Sequence, residues 1–219
     1  MNTPDRTRIL LADDHEIVRR GLRMLLETRP DWEICAEAPD GRTAVQLARE
    51  LAPQLVIMDL GMPELNGLEA TRQIMQSTSS QVLMLTMHET EQFIREALSA
   101  GVRGYILKTD AGRDVVAAVE ALLRGEVFFT TPMAAAIYAA EFQGSKMRRN
   151  ARSQSQLTPR EREILQLLVE GCKNRDVAKT LNISVKTAET HRARIMAKLE
   201  MDSVTELVRY AIRNGLIAP

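Results

Sequence analysis

The sequence has few of the residues that mark secreted, membrane-spanning or zinc-binding proteins. Its two cysteines, Cys35 and Cys172, lie far apart without a CxxC pattern, which indicates thiols in a reducing compartment. The three histidines are scattered, so zinc-ligand spacing is absent. The longest apolar run, 133–140, has eight residues and is too short to cross a membrane. No signal peptide is visible, and we therefore predict a cytoplasmic protein with no membrane segment.

The chain also lacks net charge, but its charges are unevenly distributed. Residues 1–130 contain 14 basic and 20 acidic residues, whereas residues 131–219 contain 15 basic and 9 acidic residues. The first part is therefore net −6 and the second net +6. Chance clustering remains an alternative, but the asymmetry favours two domains, of which the second faces a polyanion.

The first part alternates short apolar runs with amphipathic helical patterns. Five such β–α units predict a five-stranded parallel sheet with helices on both faces. We expect the flavodoxin-like (βα)5 arrangement of such a sheet, whose strand order is 2-1-3-4-5. In the first helix, spacings of three and four predict an inward face formed by Ile17, Gly21, Met24, Leu25 and Thr28. The predicted strands are Ile9–Asp13, Glu33–Glu37, Leu55–Leu60, Val82–Thr86 and Gly104–Leu107.

The second part has only helical patterns. A short helix is predicted to begin at Pro132, and residues 143–156, with few apolar positions, read as a linker. Four helices follow, the first with a capping box at Thr158, the third capped by Ser184, and the fourth ending at Gly215. We predict a domain at 7–126, a linker at 127–154 and a small all-α domain at 155–219.

Polar residues follow the predicted strands at one edge of the sheet. Asp13 and Asp14 end the first strand, Asp59 lies near the end of the third, Thr86 ends the fourth and Lys108 follows the fifth. The carboxyl ends of parallel strands face the same crevice, so these side chains can meet there. Three carboxylates suit Mg²⁺, which binds hard oxygen ligands together with phosphate oxygens. A carboxylate can also take up a phosphoryl group, and Asp59, the lone acid on the central strand, is the best candidate.

Lysine is scarce before the linker, which makes Lys108 conspicuous. It is the only lysine before Lys146, in a stretch that contains 13 arginines. A compact ammonium acts towards phosphate as a point charge, whereas arginine presents a wide fork. Each of the polar residues has an ordinary alternative as a turn former, strand residue or surface charge. Their joint occurrence at neighbouring strand ends favours a phosphoryl site.

These stretches resemble the receiver domain of bacterial two-component response regulators, over about residues 7–126. The resemblance rests on "ILLADDHEIVRRGLRMLLE", "QLVIMDLGMPELNG", "LTMHE" and "GYILKTDA". It implies that Asp59 is the phosphoacceptor, that Asp14 ligates the metal directly and that Asp13 ligates it partly through water. It further implies a metal bond from the Gly61 backbone carbonyl and catalytic roles for Thr86 and Lys108. Thr86, beside the phosphoryl group, and Tyr105 match the family's switch pair.

The third helix of the second part has the pattern of a DNA-recognition helix. Ala188, His191, Ile195 and Leu199 recur at helical spacing and predict its inward face. The whole stretch 155–217 is similar to the LuxR-type helix-turn-helix domain, so the chain resembles the NarL/FixJ subfamily of response regulators. The resemblance and the polar face predict DNA contacts by eight residues. They are Lys186, Thr187, Glu189, Thr190, Arg192, Ala193, Arg194 and Lys198.

The combined pattern predicts a phosphorylation-controlled transcriptional regulator. A sensor histidine kinase would phosphorylate Asp59, and the protein would bind double-stranded DNA, as a homodimer when phosphorylated. We expect the unphosphorylated receiver to restrain the second domain by covering its basic recognition helix. One alternative is a magnesium-dependent aspartyl phosphohydrolase. A hydrolase of the DxD type has a second acidic residue two positions after the nucleophile, where this chain has Gly61. Another is a regulator that needs no phosphate. Kinase, stimulus, target genes and direction of regulation are not encoded in recognisable motifs.

Overall fold

The computed structural model describes residues 6–87, 91–139 and 157–213. Its first part is a parallel sheet in the order β2-β1-β3-β4-β5-β6, so the predicted order of the first five strands is confirmed. Each strand is short and rich in apolar residues, as expected for a sheet that is buried on both faces. The strands are β1 (Thr7–Ala12), β2 (Trp32–Ala38), β3 (Leu55–Asp59), β4 (Gln81–Thr86), β5 (Gly104–Leu107) and β6 (Phe128–Phe129).

Helices cover both faces of this sheet and create two separate apolar layers. One layer places α2, α3 and α4 against the side chains of Leu10, Val56 and Met84. The other places α1 and α5 against Ile57 and Leu85. The five helices are α1 (Glu16–Leu26), α2 (Gly41–Leu51), α3 (Gly67–Ser77), α4 (Glu91–Ser99) and α5 (Lys108–Leu123).

The inward face predicted for α1 was wrong in part. Leu22 and Leu26 are buried, whereas Ile17 and Met24 are 81% and 74% exposed. Both faces of this helix carry apolar side chains at helical spacing, so periodicity alone could not decide which side turns inward. The packing of Leu22 and Leu26 against β1 and α5 determines which face of the helix is buried.

The sheet and its covering helices continue beyond the sequence-predicted boundary at residue 126. β6 pairs in parallel with β5 through Gly104↔Phe128 and Tyr105↔Phe129. The predicted short helix is α6 (Pro132–Tyr138), which is capped by Thr131 and buries Ala134 and Ile137 in the first apolar layer. The aromatic residues of this strand favour pairing over a disordered connection. The predicted linker from 143 to 156 lies outside the described residues.

The second part is the predicted bundle of four helices. Thr158 forms the predicted capping box with Glu161, and the Ser184 side chain accepts from the Thr187 N–H. Ile164, Val177 and Ile195 lie in a single core. The helices are α7 (Pro159–Val169), α8 (Asn174–Thr180), α9 (Val185–Leu199) and α10 (Val204–Arg213). Gly215, the predicted end of the last helix, lies outside the described residues. None of the described helices is long and apolar enough to cross a membrane.

The two parts touch through α7, and not through α9 as expected. Arg162 Nε donates to Glu69 Oε1 at 2.6 Å, and Gln166 bonds to the loop between β3 and α3. Along α9, most of the polar positions are exposed. The expectation that the receiver covers the recognition helix was therefore wrong. Charge asymmetry identified the basic helix but could not show that an acidic residue, Glu69, already had a basic partner on α7.

Candidate functional site

The ends of β1, β3, β4 and β5 bring four predicted site residues together. Asp13 follows β1, Asp59 is the last residue of β3, Thr86 ends β4, and Lys108 begins α5 immediately after β5. β3 lies between β1 and β4 in the sheet, so Asp59 occupies the central position. The edge of the parallel sheet therefore assembles the site that sequence spacing predicted.

Lys108 forms the centre of an ion-pair cluster. Its Nζ lies 2.7 Å from Asp13 Oδ2 and 2.9 Å from Asp59 Oδ2. Asp13, Asp59 and Thr86 are 1%, 3% and 1% exposed, respectively. Because buried carboxylates are costly unless they are paired, the ammonium compensates charge that would otherwise oppose folding.

The loop after β3 holds the Asp59 backbone close to α3. Asn66 caps α3 by accepting from the Glu69 N–H at 3.0 Å. A Cβ on Gly67 would lie 1.9 Å from the Asp59 carbonyl oxygen, so only glycine permits this approach. Asp59 is therefore fixed by the strand before it and by the helix start after it.

The electrostatic environment raises the pKa of Asp59 to about 6. Burial is the main cause and the nearby Asp13 carboxylate adds to it, while Lys108 and the Gly61 N–H act in the opposite direction. Burial also disfavours the Lys108 ammonium, but Asp59 and Asp13 outweigh that effect and raise the pKa of Lys108. Lys108 therefore remains charged at neutral pH, beside an aspartate whose ionised form is disfavoured by burial and by Asp13.

Asp59→Asn is expected to make the metal-free protein more stable at pH 7.5, by about 3 kcal/mol for a pKa raised from 3.8 to about 6. Above pH 6 Asp59 is ionised in the folded wild type, and the unfavourable burial of its charge lowers the free energy of unfolding. In the variant Lys108 still has Asp13 as an ion-pair partner. The gain should shrink as pH falls from 6 towards 4, where Asp59 becomes protonated in the folded protein. Urea unfolding in the presence of EDTA, at several pH values, measures this difference in the free energy of unfolding.

The same substitution at Asp31, an exposed position, is the matched control and should change the free energy of unfolding little at either pH. Equal stability of wild type and Asp59→Asn at pH 7.5 would contradict the raised pKa.

The acidic residues also fit a divalent cation. Ligand atoms of Asp13, Asp14, His15 and Asp59 all lie within 4.8 Å of one another. Three of these groups are carboxylates, the ligands that Mg²⁺ prefers. His15 Nδ1 lies 2.6 Å from Asp14 Oδ1, a contact that the sequence interpretation missed because it treated the histidines as scattered. The adjacency of His15 to Asp13 and Asp14 was the available signal.

The predicted switch residues lie on the neighbouring strands β4 and β5. Thr86 is buried at the end of its strand, and Tyr105 is completely buried. Tyr105 belongs to the apolar layer that also contains Ala134 and Ile137 of α6. The aromatic ring is thus enclosed between the sheet and the helix that leads towards the second domain.

The predicted DNA-contacting residues lie mainly on an open surface of α9. Ala188 and Ile195 are buried against α7 and α8, and His191 and Leu199 are partly buried, which agrees with the predicted inward face. Arg192 is half-buried, and Lys198 Nζ contacts Glu161 Oε2 at 2.6 Å. That ion pair favours a structural role for Lys198. The exposed positions are Lys186, Thr187, Glu189, Thr190, Ala193, Arg194 and Lys198.

Both parts of the chain match known protein families. Residues 9–120 match the response regulator receiver domain, and residues 155–211 match the bacterial regulatory proteins of the luxR family. The chain belongs to the response regulator family. It is a phosphorylation-dependent, DNA-binding transcriptional regulator with a receiver domain and a luxR-type helix-turn-helix domain, as the sequence predicted.

Relatives match this response regulator over almost its whole length. VraR from Staphylococcus aureus is 38% identical over 96% of this chain and 98% of its own length. The transcriptional regulatory protein YxjL from Bacillus subtilis is 35% identical over 97% of this chain and 98% of its own length. RcsB from Salmonella enterica serovar Typhimurium, solved bound to the promoter P1flhDC with the phosphomimetic BeF3⁻, is 26% identical, with a TM-score of 0.60 over 94% of this chain and 98% of that chain.

Proposed function

We propose that Asp59 is the phosphoacceptor through which a sensor histidine kinase controls DNA binding by this protein in the bacterial cytoplasm. The observation that carries the proposal is the position of the Asp59 carboxylate, which faces Asp13 and lies 2.9 Å from Lys108 Nζ. The Asp59 carboxylate attacks the phosphorus atom of the phosphoryl donor, and the donor's leaving group departs as the new P–O bond forms. Lys108 then faces the added phosphoryl oxygens as a compact positive charge.

Asp13, Asp14 and Asp59, with the Gly61 backbone carbonyl, are proposed to hold Mg²⁺. The donor set is made of oxygens, and the ligand atoms of the three carboxylates are close together. Bound Mg²⁺ neutralises charge that develops during phosphoryl transfer. Asp13 and Lys108 also hold the Asp59 carboxylate in place, whether or not the cation is bound.

The output surface is proposed to be α9, acting from a homodimer on double-stranded DNA when the receiver is phosphorylated. Lys186, Arg192 and Arg194 lie on the predicted DNA face and provide positive charge for phosphates. Thr187, Glu189, Thr190 and Ala193 are assigned to base edges, with Lys198 at the end of the surface. RcsB, solved bound to promoter DNA in the presence of the phosphomimetic BeF3⁻, supports DNA binding by the phosphorylated form of this protein.

A regulatory role is favoured over hydrolysis of a substrate. An aspartyl hydrolase of the DxD type needs a second acid two residues after its nucleophile, and Gly61 occupies that position. The fused DNA-binding domain also explains why a phosphoryl group would be retained as a signal. A regulator that is independent of phosphate would have no use for the buried ion-pair cluster at Asp59.

Incubation with acetyl phosphate and Mg²⁺ is expected to add one phosphoryl group to wild type and none to Asp59→Asn. Asparagine has no nucleophilic carboxylate, and EDTA should suppress the adduct in wild type by removing the cation. Intact-mass spectrometry provides the measurement. An adduct of the same yield on Asp59→Asn would show that another residue is the phosphoacceptor.

A further inference from the structure

The loop between β3 and α3 is held by the DNA-binding domain. The Gln166 side chain from α7 is fully buried against this loop. Its Oε1 accepts from the Asn66 N–H at 2.7 Å, and its Nε2 donates to the Met62 carbonyl at 2.8 Å. One amide therefore ties down both ends of the segment that follows Asp59 and Gly61.

A second residue at the end of α7 holds the middle of the same loop. The Glu64 N–H points between both carboxylate oxygens of Glu170, at 3.2 and 3.3 Å. Glu64 has φ of 63°, a left-handed conformation that residues with a side chain rarely adopt. Glu170 also accepts from Gln166 Nε2 at 2.8 Å, so the two side chains act as one unit. We name Gln166 and Glu170 the loop clamp.

The clamped loop is directly connected to the reacting carboxylate. The Gly61 N–H donates to Asp59, and the Leu60 carbonyl accepts from the Gly67 N–H at 3.0 Å. Addition of a phosphoryl group enlarges Asp59, and the assigned metal bond requires the Gly61 carbonyl, which is one peptide before Met62. Any movement of this segment on phosphorylation would therefore disturb the hydrogen bonds that the loop clamp makes.

We propose that the loop clamp of the DNA-binding domain slows phosphorylation of Asp59, with Gln166 as a positioning residue for chemistry in the receiver. The inference rests on the proposed role of Asp59. Coupling between two sites is reciprocal, so a clamp that opposes phosphorylation is itself weakened by phosphorylation. The DNA-binding domain thereby acts on the input reaction as well as carrying the output.

Gln166→Met tests the proposal in the full chain, because methionine has a similar length without hydrogen-bonding groups. With acetyl phosphate and subsaturating Mg²⁺, its phosphorylation rate should rise about fivefold, the effect expected for loss of one or two neutral hydrogen bonds. Glu170→Ala, at an exposed position, should act in the same direction and is a second test if Gln166→Met folds poorly. The rate of adduct formation is followed by intact mass.

Gln73→Ala is the matched control. Gln73 Nε2 donates to Glu163 Oε1 across the same domain interface, at 3.1 Å, and this bond involves neither the loop nor the loop clamp. The phosphorylation rate of Gln73→Ala should equal that of wild type. Unchanged or slower phosphorylation of both clamp variants would overturn the proposal, and an equal increase in Gln73→Ala would assign the effect to general release of the interface. Loss of the adduct in Asp59→Asn tests the phosphoacceptor separately.

Amide hydrogen exchange at the loop distinguishes release of the loop clamp from a purely structural effect of the substitutions. In wild type, phosphorylation should speed exchange of the Glu64 and Asn66 amides, whose acceptors are Glu170 and Gln166. In Gln166→Met, exchange at Asn66 should already be fast before phosphorylation. Equal protection of both amides in phosphorylated and unphosphorylated wild type would contradict the reciprocal coupling.

Discussion

Replacing Lys186 or Arg192 by alanine is expected to weaken binding to all DNA sequences to a similar extent, by about fivefold to tenfold at moderate salt. Both residues lie on the predicted DNA face of α9, where a cationic side chain can displace a counterion from a phosphate. Each substitution should reduce the slope of log K against log salt by about one. Titrations of a promoter fragment and an unrelated duplex at several salt concentrations measure both effects.

Lys179→Ala is the charge-matched control, because this exposed lysine lies on α8 and outside the predicted contact surface. It should retain the salt slope of wild type. Glu189→Gln or Thr190→Ala should instead change which sequence is preferred, since these positions are assigned to base edges. A change of site preference in Lys186→Ala without any change in salt slope would contradict this division of roles.

The second large effect is expected at Asp59, the proposed phosphoacceptor. Asp59→Asn should lose the whole gain in DNA affinity that phosphorylation gives wild type, because the carboxamide cannot form the acyl phosphate. Thr86 and Lys108 would then face an unchanged neutral group, and nothing would draw Tyr105 into a different position. Binding by unphosphorylated wild type and by the variant should agree. This separates loss of the signal from damage to α9, which lies in the other domain.

Much of the receiver was predictable because its requirements are local. Alternation of strands and helices gave the parallel sheet with helices on both faces, and Asp13, Asp59, Thr86 and Lys108 each lie at the same end of a strand. The capping box at Thr158 likewise depends only on residues within one turn. These features required no knowledge of long-range packing.

Features that depend on packing between distant elements were not predictable. The exposed Ile17 is as apolar as a core residue, and only contacts with β1 and α5 show which face of α1 is buried. The bond from Gln166 to the loop at Met62 spans 104 residues and has no periodic signature. Charge balance pointed to α9 as the contact surface, whereas Arg162 on α7 makes the ion pair with Glu69 of the receiver.

Genome-wide DNA occupancy of wild type and Asp59→Asn, measured in cells with the cognate signalling pathway active, tests the central claim most directly. The account predicts that wild type occupies a set of promoters and that Asp59→Asn, present at the same level, loses most of that occupancy. Occupancy of the same promoters to the same extent by both proteins would contradict control through Asp59.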